Sequence, residues 1–129
     1  MEIKELIKQA HENALSKGFY PDGEKKNIGE LLMLVVSELG EALEAHRAGT
    51  FPLYEMFQSE IDSGIDFRTA FKNHIKDTLQ DELSDAVIRI CDMCGYLNID
   101  LEKHIELKMK YNTTREYKHG KSYWFLINM

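Results

Sequence analysis

The chain is short of the residues that define several large protein classes. It has only two cysteines, Cys91 and Cys94, which excludes a disulfide-dense secreted scaffold. Lysine and arginine together number 16 against 22 aspartates and glutamates, a net charge of -6, where a nucleic-acid-binding surface would be basic. That balance argues against a nucleic-acid polymer as partner but is compatible with a nucleotide that arrives with its own metal ion. No apolar run approaches the ~20 residues of a membrane span, and Met1-Glu2-Ile3-Lys4-Glu5 lacks the apolar centre of a secretory leader. The expectation is a cytoplasmic protein without membrane association. Strand-like alternation is missing from the body of the chain and arises only over residues 123–127.

What is present suits one all-α domain. The 129 residues are 43% hydrophobic and 29% charged, enough to bury a core. Cys91 and Cys94 fall inside a helical pattern between Ile90 and Leu97, with no second pair to complete a metal site. They read as small core residues of a reduced protein.

The periodicity predicts a first helix over residues 2–17, with Ile3, Leu6, Ile7, Ala10, Ala14 and Leu15 on one stripe, ended by Gly18 and the turn Pro21-Asp22-Gly23. Asn27 caps a second helix over residues 28–47, with Glu30 three residues on. Residues 49–67 read as an irregular insertion holding a short helix around 53–61. A further helical region runs from 68 to 97, either continuous or bent at Asp77-Thr78. Asp100 caps a last helix over residues 101–115, and a basic and aromatic tail occupies 117–129. The expected architecture is a four-helix bundle with short connections. Its spare leucine, isoleucine and aromatic residues suit a core completed by a second copy of the chain.

Within this pattern, Ser37-Glu38-Leu39-Gly40-Glu41 and Glu82-Leu83-Ser84-Asp85 each place two acids three residues apart. At about 100° per residue such pairs share a helix face. On the second helix Leu31, Val35, Leu39, Ala42 and Leu43 define an apolar arc. Glu38 falls inside it, Glu41 at its edge and Glu44 outside. On the later helix Glu82 borders the Leu79–Ala86–Met93 face, with Asp85 further round, Arg89 between them, and Asp92 on the same flank. Acids against an apolar stripe cost several kcal/mol unless neutralised. Oxygen-only donors suit Mg²⁺, with Mn²⁺ as the alternative. A di-iron site would need Glu-x-x-His pairs, whereas His46 and His104 follow Glu44 and Glu102 by two residues. The last helix carries Lys108, Asn112 and Arg115 on one stripe, groups that suit a metal-bound polyanion.

These residues, in this order, resemble the MazG-like all-α nucleoside triphosphate pyrophosphohydrolases. The resemblance runs from about Ile28 to Lys121. It rests on the two acid motifs, on Gly95-Tyr96-Leu97-Asn98-Ile99-Asp100-Leu101, on Lys108-Met109-Lys110-Tyr111-Asn112-Thr113-Thr114-Arg115, and on Tyr117-Lys118-His119-Gly120-Lys121. It implies cleavage of a nucleoside triphosphate between the α and β phosphates in a house-cleaning or pool-controlling role. Glu38, Glu41, Glu82 and Asp85 then match the family's Mg²⁺-binding catalytic acids, and Lys108, Asn112 and Arg115 its substrate-binding positions. A homo-dimer or homo-tetramer with active sites near subunit contacts is also implied. The 41 positions from Glu41 to Glu82 exceed the spacing of compact members, so the insertion must loop out or cover the site. Two other readings compete: a non-catalytic helical module that binds nucleotide or oligomerises, and a structural bundle whose acids form ion pairs.

Overall fold

Four helix starts are set by side-chain caps that satisfy otherwise unpaired N–H groups. Asn27 accepts from the Glu30 N–H, Asp66 from Thr69, Thr78 from Asp81 and Asp100 from Lys103. Two of the helix ends close on left-handed residues, Gly49 at φ 70° and Asn98 at φ 56°. The computed structural model describes residues 1–116. They form α1 (Ile3–Ser16), α2 (Ile28–Ala48), α3 (Tyr54–Asp62), α4 (Phe67–His74), α5 (Leu79–Leu97) and α6 (Leu101–Thr113), and no strand occurs among them. The expected basic tail at 117–121 and the strand-like stretch at 123–127 lie outside the described residues.

The protein is therefore all-α, with more helices than the four expected. One addition comes from the break at Asp77-Thr78. Asp77 adopts φ 64°, its N–H donates to Asp81 Oδ2 at 2.9 Å, and Thr78 caps the new helix. The region from 68 to 97 is thus two helices. The other is the short helix expected around 53–61 in the insertion, which forms as α3 over Tyr54–Asp62. Helices α3 and α4 pair as a hairpin, held by the Phe57–Phe67 edge contact at 5.8 Å and by His74 Nε2 to Glu60 Oε1 at 2.9 Å. The Leu53 N–H donates to the His74 carbonyl at 3.0 Å and closes the hairpin at its base.

The core sits where α1 and α2 pack on α5, and α6 lies along α1. It is built from small side chains: Ala10 and Ala14, Val35, Ala42 and Ala45, then Ala86, Cys91 and Cys94. The two cysteines are free and buried, as their place in the helical pattern implied. Small residues let the backbones approach closely. A Cβ built on Gly95 would stand 2.6 Å from His11 Cβ, inside any real contact. The apolar arc of α2 is only partly enclosed. Val35 and Ala42 are buried, while Leu39 and Leu43 remain 48% and 47% exposed.

His11 is anchored through Nδ1 to Asp92 Oδ1 at 2.9 Å, so it has little freedom to retreat from a larger residue at 95. Gly95→Ala is expected to destabilise the protein by about 1–3 kcal/mol through forced separation of α1 and α5. Urea unfolding followed by circular dichroism measures this. A stability equal to the parent's would show that the two helices tolerate a wider spacing.

Candidate metal centre

Helices α2 and α5 face each other along most of their length, which brings the two acid motifs together. Oxygen atoms of Glu38, Glu82 and Asp85 lie within 4.8 Å of one another. Glu38 and Glu82 are buried, at 8% and 5% exposure, and Asp85 is more accessible than either. Glu41 is exposed at the rim but close enough to hydrogen-bond with Glu38 and Glu82. The helix-face reading of the four acids thus holds in space. Glu44 is exposed, pairs with Arg47 at 3.3 Å and borders a groove shared with Glu41 and Glu82, outside the closest trio.

Each acid in the cluster responds to a different balance. Burial pushes Glu82 up to about 7, and its hydrogen bond to Glu41, with the charges of Glu41, Asp85 and Glu38, acts in the same direction. Burial likewise raises Asp85, helped by the Asp81 and Glu38 charges and opposed by Arg89. Burial works to raise Glu38 too. There the Arg89 guanidinium wins, donating from Nε to Oε1 at 2.6 Å and holding the carboxyl below its usual range. Glu82 Oε2 is buried with no hydrogen-bond partner among the described residues. A buried carboxylate oxygen left in that state costs about 1–3 kcal/mol or more unless a cation or proton meets it. The donor set is all oxygen, anionic and convergent, which fits a hard divalent cation such as Mg²⁺.

A second trio shares Glu82: Asp77, Asp81 and Glu82 also bring oxygens within 4.8 Å. Helical spacing could not reveal Asp77, because it precedes α5 in a left-handed conformation. Asp92, by contrast, is occupied elsewhere. It bonds His11 and accepts from the Tyr20 hydroxyl at 2.9 Å, tying the α1–α2 connection to α5.

Lys108, Asn112 and Arg115 lie exposed on and just beyond α6, the helix that packs along α1. Lys108 Nζ and the Arg115 guanidinium lie 4.8 Å and 5.8 Å from the Tyr111 ring centroid. None of the three lines the grooves bordered by the four acids. One such groove, about 300 Å³, lies between α1, α2 and α5, with Phe19, Tyr20, Leu31 and Leu34 leading down to Glu38 and Asp85. Compared with protein-family models, with curated proteins and with solved structures, the chain matches none.

The sign of the pH dependence follows from Glu82. Between its ordinary value of 4.5 and about 7, the folded protein holds a proton that the unfolded chain releases. The stability Glu82 contributes is complete below that window and is lost as pH rises through it. In metal-free buffer the melting temperature of Glu82→Gln, relative to the parent, is expected to increase with pH across this window. Millimolar Mg²⁺ is expected to stabilise the parent more at pH 8 than at pH 5, because the ion binds the ionised acids. Parallel pH profiles for parent and variant would remove Glu82 from this role.

Proposed function

We propose that the protein is a Mg²⁺-dependent nucleoside triphosphate pyrophosphohydrolase, converting a (d)NTP and water to the (d)NMP and pyrophosphate. The observation that carries this reading is the buried, unpartnered Oε2 of Glu82 among Glu38, Glu41 and Asp85. A purely structural acid cluster would pair that atom.

In this reading Glu38, Glu41, Glu82 and Asp85 hold Mg²⁺, with Mn²⁺ as the alternative ion. When bound, the ion supplies charge neutralisation for the phosphates and acidifies water beside them. Arg89 keeps Glu38 ionised and oriented through its 2.6 Å bond. Glu41, at the rim and outside the closest trio, accepts the proton of the attacking water on its carboxylate. The water oxygen bonds to the α phosphorus, the α–β bridging bond breaks, and the bridging oxygen leaves with pyrophosphate. The apolar groove beside Phe19, Tyr20, Leu31 and Leu34 has room for a nucleoside next to Glu38 and Asp85.

The scaffold in this proposal is a four-helix bundle of α1, α2, α5 and α6, with the α3–α4 hairpin inserted. It is completed as a homo-dimer or homo-tetramer, the reading supported by half-exposed Leu32, Val36, Leu39 and Leu43 on α2 and by Val87 on α5. Lys108, Asn112 and Arg115 bind substrate in this reading only if a second copy delivers them, since they line none of the grooves that the four acids border in their own chain.

A screen of ribo- and deoxyribonucleoside triphosphates for pyrophosphate release is expected to find Mg²⁺-dependent turnover. Glu38→Gln and Glu82→Gln are each expected to reduce kcat/KM by about 10²-fold or more while the helical circular dichroism is retained. Release of pyrophosphate from no nucleotide, with Mg²⁺ or with Mn²⁺, would favour a non-catalytic binding module. Undiminished turnover in both variants would sink the four-acid mechanism.

A further inference from the structure

Two grooves meet at Asp85 and Ile88, and they differ in what their cations are doing. In the groove between α1, α2 and α5 the cations are committed. Arg89 is bonded to Glu38 at 2.6 Å, and Lys26 reaches Glu24 at 3.0 Å. The second groove, about 600 Å³, runs between α4 and the first turns of α5. Arg68, Lys72 and Lys76 form one wall at four-residue spacing, and Gln80, Asp81 and Asp85 form the other. Lys72 makes no ion pair among the described residues, Arg68 has only a through-space attraction to exposed Asp66, and Lys76 has only a surface contact with Asp77 at 3.8 Å. Such exposed contacts are worth little.

We propose that this groove is the receptor for the polyphosphate of the nucleotide, with Arg68, Lys72 and Lys76 as its cationic wall. The inference rests on the hydrolase reading above and deepens it, because it assigns phosphate recognition to the α3–α4 hairpin.

Charge supports the placement. A triphosphate approaching a protein of net charge -6 and a four-acid cluster meets repulsion from both. A divalent ion at Glu38, Glu82 and Asp85 would offset part of it, and fixed cations on the facing wall offset more. The groove offers both at once, since Asp85 belongs to the metal trio and to the groove lining. Its volume lies in the ~300–1,000 Å³ range of small-ligand sites. Tyr54 and Phe67 border the same groove and are 60% and 66% exposed, leaving aromatic faces open to a bound nucleotide.

The test uses the full chain and two probes in Mg²⁺ buffer: inorganic triphosphate binding by calorimetry, and pyrophosphate release from the best nucleotide of the screen. Each lost contact from an exposed cation costs up to about fivefold in affinity. Arg68→Ala/Lys72→Ala is therefore expected to weaken triphosphate binding by about tenfold or more. Adding Lys76→Ala is expected to bring the loss to about 100-fold, with KM raised in parallel and kcat changed less. A control with the same charge change elsewhere, Lys8→Ala/Lys17→Ala/Lys103→Ala, is expected to bind like the parent.

A parent that hydrolyses nucleotide while the triple variant keeps its triphosphate affinity and KM would overturn the inference and leave the hydrolase reading standing. Equal losses in the triple variant and the control would overturn it too, by reducing the effect to net charge. Triphosphate binding lost only in the α4 variants of a protein without turnover would uphold the groove and remove the hydrolysis.

Discussion

The constraint on which this structure turns is the repulsion among carboxylates placed between α2 and α5. Glu38 and Glu82 are buried where apolar side chains would pack at lower cost, and Asp85 and Glu41 stand beside them. Among the described residues only one fixed cation, Arg89, bonds directly to the group, and its bond goes to Glu38. Glu82 is left to a proton or an external cation, hence its pKa near 7. An interface kept in this condition is held short of its best stability, and such sites are where function is found.

The rest of the core is arranged around that cost. Where α1 and α2 pack on α5, contact is made by alanines, cysteines and Gly95, so the helices come close without large side chains. Close approach carries the acid-bearing faces of α2 and α5 into register. It also leaves the larger apolar residues of α2 facing outward, Leu32, Val36, Leu39 and Leu43 among them. Asp92 contributes at the other end of α5. By bonding His11 and Tyr20 together, it fixes α1 and the connection to α2 against the helix that carries Glu82 and Asp85.

Much of this was legible in the chain before any coordinates. Asn27 and Asp100 announced their helices, because a short polar side chain before an apolar period satisfies the N–H groups three residues on. The inward placement of Glu38, the rim position of Glu41 and the outer position of Glu44 followed from 100° per residue. Periodicity sees one helix at a time, and its failures follow from that. It placed Leu39 and Leu43 on an apolar arc without revealing that no helix among the described residues covers them. It put Lys108, Asn112 and Arg115 on one stripe without revealing that they stay exposed and off the grooves bordered by the acids. Asp77 escaped because a non-glycine residue at positive φ has no compositional signature beyond its preference for turns.

The insertion is where local signals and tertiary consequence diverge most. Between Gly49 and Phe67 the sequence offers breakers, aromatics and mixed charge, which reads as irregular chain. The hairpin is held where Phe57 of α3 meets Phe67 of α4 edge-on, where His74 reaches Glu60, and where the Leu53 N–H closes on the His74 carbonyl. That closure fixes where α4 enters the turn before α5, and so sets Arg68 and Lys72 opposite Asp81 and Asp85. Had α4 and α5 been one continuous helix, residues 68 and 72 would lie about 20–26 Å along the axis from residue 85. The left-handed Asp77 converts that axial separation into a facing wall. A single backbone reversal thus brings the cations across from the acids.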